Sequence, residues 1–111
     1  MDIKSFQQQV KELSQQFEYS QSPERRMMYL MSELGEVVDE VIVLTSADSD
    51  TPQETINEIK ERLGLEIYDL IWNAVDLANK FEIDLEEAFQ KKIAINEKRR
   101  WSRSDFIDNN D

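Results

Sequence analysis

The chain has neither cysteine nor histidine among its 111 residues, and those two absences remove whole chemistries. No thiolate nucleophile, no Ser-His-Asp relay and no zinc site of the usual nitrogen and sulfur type can be built from it. A disulfide framework is excluded as well. Acid and base chemistry falls to carboxylates. Glycine and proline are scarce, two of each, so few turns are marked and long regular elements are expected. No apolar run approaches the roughly 20 residues needed to span a bilayer. Met1-Asp2 leads into a polar helical pattern rather than the apolar core of a signal peptide. The expectation is a soluble, cytoplasmic protein with no membrane partner. Positive charge is short too: 13 Lys and Arg stand against 24 Asp and Glu, for a formal net charge of −11. A body that acidic repels nucleic acid and anionic lipid, so no nucleic-acid partner is expected.

What basic charge there is gathers at one end. Residues 91–103 hold Lys91, Lys92, Lys98, Arg99, Arg100 and Arg103 against Glu97 alone, six bases to one acid and thus +5. A length near the modal domain size predicts a single domain over residues 1–111 with one core. Its first 21 residues form an N-terminal helical segment, and residues 104–111 read as a flexible tail.

Apolar residues recur at helical spacing throughout, which predicts an all-α domain of four helices. Asp2 can cap a helix whose Ile3, Phe6, Val10, Leu13 and Phe17 form one stripe ending near Tyr19. Ser22-Pro23 is a cap followed by a first-turn proline. It opens a second helix with the stripe Met27, Leu30, Leu34, Val37, Val41 and Leu44. The Ser/Asp-rich stretch from Thr45 to Asp50 reads as a loop, and Thr51-Pro52-Gln53-Glu54 combines a capping box with a first-turn proline. The third helix then carries Ile56, Ile59, Leu63, Ile67, Leu70, Ala74 and Leu77, with Gly64 a place for a break or kink. Asp84 with Glu87 is a cap for a fourth helix bearing Leu85, Phe89 and Ile93.

Two acid pairs stand out. Glu33 and Glu36 on helix two, and Glu66 and Asp69 on helix three, are each spaced by three and so lie on one side of their helix. Glu33 and Glu66 both sit at the border of their helix's stripe. Antiparallel packing of the two helices through those stripes would bring the four carboxylates to one edge of the interface. Such a cluster needs protons or cations to offset its repulsion, and all-oxygen ligation suits Mg²⁺, Mn²⁺ or Ca²⁺. Glu40 and Asn73, one turn further on, are candidate outer ligands. On spacing alone the same acids also suit the solvated flank of two amphipathic helices. A di-iron bundle is disfavoured because its Glu-x-x-His ligands have no histidine here. Lys92, Asn96 and Arg99 fall on one line of helix four, fit either to meet phosphate oxygens or simply to complement a helix C-terminus.

Taken together, these segments resemble the MazG-type nucleoside triphosphate pyrophosphohydrolases of the all-α NTP-pyrophosphatase superfamily. Leu30-Met31-Ser32-Glu33-Leu34-Gly35-Glu36 is similar to the family's ExxE helix, and Glu66-Ile67-Tyr68-Asp69-Leu70-Ile71-Trp72 to its ExxD helix. Leu77-Ala78-Asn79 and Ile83-Asp84-Leu85-Glu86-Glu87-Ala88 resemble the turn into the last helix, and Lys92, Asn96 and Arg99 match its closing basic motif. The resemblance spans roughly residues 22–101. Tyr68, where the family has a small residue, and Ser32, where a second acid is common, are departures that bear on pocket shape.

The resemblance implies a four-helix MazG-like domain that hydrolyses a nucleoside triphosphate to the monophosphate and pyrophosphate. Mg²⁺ would be held by Glu33, Glu36, Glu66 and Asp69, with Mn²⁺ a possible substitute. Glu36 is read as the general base, and Lys92, Asn96 and Arg99 as substrate-binding. Phe17, Tyr68, Trp72 and Trp101 could stack a base or equally fill a core, and are left unassigned. Apolar stripes on both faces of so small a helix hairpin predict a core completed by a second subunit, giving a homodimer or a dimer of dimers. Two other readings fit the residues: an acidic helical adaptor that buries a partner's helix, and a phosphoribosyl-ATP pyrophosphohydrolase within the same superfamily.

Overall fold

A computed structural model describes the backbone of residues 1–17 and 22–107, with side chains to residue 99. The four expected helices are present: α1 (Ile3–Gln16), α2 (Pro23–Thr45), α3 (Gln53–Lys80) and α4 (Leu85–Ile107). There is no strand among the described residues. Tyr19, where the first stripe was expected to end, and residues 108–111 lie outside them.

Helix starts follow local capping chemistry. Asp2 Oδ1 accepts from the Ser5 amide at 2.8 Å, a bond that also lowers the Asp2 pKa. Ser22 Oγ accepts from the Arg25 amide at 3.2 Å, with Pro23 in the first turn. Asp84 Oδ1 accepts from the Glu87 amide at 3.2 Å. The capping box expected at Thr51 does not form. Pro52 takes the cap position without a side-chain bond. The Thr51 hydroxyl turns back into the loop instead, accepting from the Asp48 amide at 3.1 Å. Helix α3 runs unbroken through Gly64, since a helical glycine costs only about 1 kcal/mol and the flanking turns hold it. Helix α4 continues to Ile107, so residues 104–107 of the expected tail are helical, as a stretch free of glycine and proline allows.

Helices α2 and α3 form the main packed pair. The contacts Arg26 with Asp76 and Glu40 with Arg62 run in opposite chain directions, which makes the hairpin antiparallel. Its seam is rotated from the expected stripes. Beyond the first-turn Pro23, the residues of α2 that are buried or half-buried are Arg26, Leu30, Glu33, Val37, Glu40 and Leu44, whereas Met27, Leu34 and Val41 are exposed. On α3, Glu66 and Asn73 stand on the seam where Ile67 and Ala74 were expected. Each helix has two apolar arcs, and the hairpin uses the one that carries acids.

Helix α1 lies on α3 and meets the start of α4. Gln7 is the joint: its amide nitrogen donates to Asn79 Oδ1 at 2.9 Å and to the Ile83 carbonyl at 2.6 Å. Its oxygen accepts from the Leu85 amide at 3.0 Å, satisfying a first-turn N–H of α4. Between α3 and α4, Glu82 adopts φ 54°. The amides of Glu82 and Ile83 donate to the Asn79 and Ala78 carbonyls, a Schellman closure with glutamate in the left-handed place glycine favours.

The chain alone is expanded. Its radius of gyration is 18.5 Å, against about 13 Å for a compact chain of this length. The buried apolar side chains among the described residues are Val10, Ile59, Val75 and Ala78.

Candidate active site

The rotation of the seam puts acid where a hairpin normally has leucine. Glu33 and Glu66 face each other across α2 and α3, half-buried. Together with Asp69 they offer three carboxylate oxygens that all lie within 4.8 Å of one another. Glu36, more exposed, lies beside them, close enough to raise the pKa of both Glu33 and Glu66. Two carboxylates that close must hold a proton between them or be bridged by a cation. Of the four acids expected to converge, Glu33, Glu66 and Asp69 come together, and Glu36 lies near enough to act on Glu33 and Glu66.

Their titration reflects the crowding. The Glu66 carboxyl is pushed up to about 7, first by its hydrogen bond with Glu36, then by burial and by the charges of Glu36, Glu33 and Asp69. Glu33 is raised chiefly by burial, with Glu36 and Asp69 adding repulsion, while a bond from Glu66 acts the other way. Glu33 Oε2 and Glu66 Oε2 are both buried with no hydrogen-bond partner. Buried carboxylate oxygens without a donor are costly. A hard divalent cation is the partner this donor set fits. Metal–oxygen bonds of about 2.1 to 2.6 Å span roughly 4 to 5 Å across one ion, close to the observed spread.

The outer positions behave otherwise than expected. Glu40 pairs with Arg62 at 3.2 Å. Asn73 is buried, accepting from Arg26 Nη1 at 2.8 Å and donating to the Asp69 carbonyl at 2.8 Å. Neither is directed at the carboxylates as a ligand. Lys92, Asn96 and Arg99 are exposed on α4. This helix packs on α1, with no comparable packing on α2 or α3.

Beside the carboxylates is a feature the sequence reading missed. Arg26, almost fully buried, places Nε 2.7 Å from Asp76 Oδ2 in an ion pair too bent to count as a hydrogen bond. Asp76 also holds Lys80 at 3.2 Å, and Lys80 donates to the buried Ser14 hydroxyl at 3.3 Å. The guanidinium carbon lies 5.3 Å from the Tyr29 ring centroid and 5.5 Å from that of Trp72, within cation–π range. A single acid inside the apolar run Asn73-Ala74-Val75-Asp76-Leu77-Ala78 was the available signal. Arg26, next to Arg25 in a polar first turn, gave none.

An open cleft of about 400 Å³ lies over this network, between α1, α2 and α3. Phe17, Tyr29, Tyr68 and Trp72 line it with Arg26 and Asn73, and Glu33 and Asp69 form one side. Tyr68 also meets Phe6 edge to face at 6.0 Å, which fixes the ring where a small residue would have left space. The Trp101 side chain lies outside the described residues.

Fold and site thus define a class: an all-α protein whose central helix hairpin carries a carboxylate cluster on its packed seam, beside an aromatic cleft. The chain belongs to the MazG nucleotide pyrophosphohydrolase domain family, whose model matches residues 21–102. A cyanophage S-2L protein named dATP/dGTP diphosphohydrolase is 35% identical over 65 residues, covering 49% of this chain and 62% of the phage protein. The chain therefore spans somewhat less than two thirds of that relative. No solved structure gives a significant match. Among the described residues no helix is long and apolar enough to cross a membrane.

Proposed function

We propose that the protein hydrolyses a nucleoside triphosphate to the monophosphate and pyrophosphate in a Mg²⁺-dependent reaction, as a cytoplasmic house-cleaning activity on the nucleotide pool. The observation that carries this reading is the seam cluster: three carboxylate oxygens within 4.8 Å, two of the acids having a buried oxygen with no donor. Glu33, Glu36, Glu66 and Asp69 hold the metal, and Mn²⁺ can replace Mg²⁺. When bound, the cation neutralises phosphate charge and acidifies the attacking water.

Glu36 is the general base in this scheme. It is the most exposed of the three glutamates and lies beside both Glu33 and Glu66, so it can take a proton from water while the others stay on the cation. Lys92, Asn96 and Arg99 bind the polyphosphate from α4 of a second subunit, a reading supported by the packing of α4 on α1 rather than on the hairpin that carries the acids. That arrangement gives the exposed apolar arcs of α2 and α3 a partner and makes the working form a homodimer or a dimer of dimers. The phage relative's name makes dATP and dGTP the first substrates to try.

A panel of standard and modified nucleoside triphosphates with Mg²⁺, read by product identification, tests the reading. Monophosphate and pyrophosphate are the expected products. Orthophosphate release rejects it, and no turnover across a panel that includes phosphoribosyl-ATP rejects it and favours a binding role for the acidic helices.

A further inference from the structure

The seam between α2 and α3 is built in alternating layers. Leu30, Val37 and Leu44 on α2, and Leu63, Leu70 and Leu77 on α3, recur every seven residues and are half-buried. Between them, at the same repeat, come polar side chains: Arg26, Glu33 and Glu40 on α2, and Glu66, Asn73 and Lys80 on α3. A slip of one helix along the other by one repeat, about 10.5 Å, would lay aliphatic on aliphatic again. The apolar layers therefore do not select the observed register, and the polar positions have to, as a buried polar residue does in a coiled coil.

Among the described residues two ion pairs tie the helices together. Glu40 with Arg62 is one, but the Arg62 side chain is 53% exposed, and pairs of that kind are worth little. The other is Arg26 with Asp76, their side chains 7% and 1% exposed. Parting a buried charge from its partner is costly, so this link resists a slip. Arg26 also donates from Nη1 to Asn73 Oδ1 at 2.8 Å, a second bond from α2 to α3 at the same level.

The link stands beside the acids. Glu33 follows Arg26 by seven residues on one face of α2, and Asp69 precedes Asn73 by four and Asp76 by seven on one face of α3. The Asn73 amide donates to the Asp69 carbonyl itself at 2.8 Å. Without a cation the clustered carboxylates repel one another, which favours any displacement of the helices that separates them. We propose that Arg26 is a positioning residue: gripped by Asp76 and bonded to Asn73, it fixes α2 against α3 in the register that keeps Glu33 with Glu66 and Asp69, so that the cation site is assembled before the cation arrives. The proposal rests on the cation site of the reading above and names what assembles it.

The test uses Mn²⁺ alone, titrated into the metal-free full chain without nucleotide, with unbound ion counted by its EPR signal. Arg26→Met keeps the apolar stem and removes the guanidinium. Its dissociation constant for Mn²⁺ should rise about tenfold or more, the scale of losing a group that orients metal ligands. Charge alone predicts the opposite sign, because a cation near the site has gone. Asn73→Leu, which leaves the Arg26–Asp76 pair in place, should weaken Mn²⁺ in the same direction, and it carries the test if Arg26→Met does not fold. A merely structural role lowers the melting temperature in EDTA and leaves the dissociation constant of the folded protein where it was. Mn²⁺ bound by the folded variants as tightly as by the parent, or more tightly, overturns the proposal and leaves the hydrolase reading standing. No Mn²⁺ binding by the parent overturns both.

Discussion

At the scale of single residues, the molecule is a set of charges buried in unequal numbers. Arg26, Asp76 and Lys80 form two cations around one anion. Removing Asp76 leaves two buried positive charges facing each other. Removing Arg26 leaves the neutral Asp76–Lys80 pair. Asp76→Ala should therefore cost about 3 to 5 kcal/mol, clearly more than Arg26→Met, as measured by urea unfolding. A structure in which Arg26→Met is the worse of the two would mean that cation–π contact, not charge balance, dominates there.

The seam acids carry the opposite imbalance. Glu66 is raised to about 7 from 4.5, so the folded state holds its proton more tightly than the unfolded chain. Stability of the metal-free protein then falls as pH rises from about 4.5 to 7, and the deficit persists above that window. In EDTA the melting temperature should be higher near pH 6 than near pH 8, with Glu66→Gln flattening the difference. Mg²⁺ should raise it at the upper pH. Glu36→Gln and Asp69→Asn should each lower turnover by about 10²-fold or more with helicity unchanged.

At the scale of elements, the helices were legible because capping is local. Asp2, Ser22 and Asp84 all act as read, since a cap needs only its own side chain and an amide three residues on. Thr51 failed because its hydroxyl takes a competing local partner, the Asp48 amide. The faces were harder. Periodicity finds an apolar arc, but α2 has one containing Met27, Leu34 and Val41 and another containing Leu30, Val37 and Leu44. Which arc meets α3 is decided by the fit of both helices. The meeting of Glu33, Glu66 and Asp69 was nevertheless legible, because their relative positions on the two helices survive the rotation. Arg26, Asp76 and the Gln7 joint were not, being contacts between residues distant in sequence. The α3–α4 turn makes its own prediction. Glu82 sits at φ 54°, strained for any residue with a Cβ, so Glu82→Gly should stabilise the fold by about 1 kcal/mol in thermal unfolding.

At the scale of the whole molecule, an 18.5 Å radius of gyration and exposed Met31, Val38, Ile42, Phe89 and Ile93 describe a chain with apolar surface left to cover. A compact dimer should be the species seen by sedimentation, and Ile42→Glu should shift it toward monomer with loss of turnover. The proposed division of labour between subunits predicts complementation. Glu36→Gln and Arg99→Ala chains, each inactive alone, should regain activity when co-expressed, because a mixed dimer contains one site with neither lesion. Absence of rescue despite mixed dimers would place Arg99 on its own chain's acids.

The joint at Gln7 bears on how far this domain can be cut back. The family match begins at residue 21, which invites the view that the first helix is an appendage to a core holding every proposed ligand. Yet Gln7 closes the end of α3 and the start of α4, while Val10 and Ser14 are buried. A chain trimmed to the matched segment would keep all four carboxylates and lose the hinge pin that sets where the basic helix points.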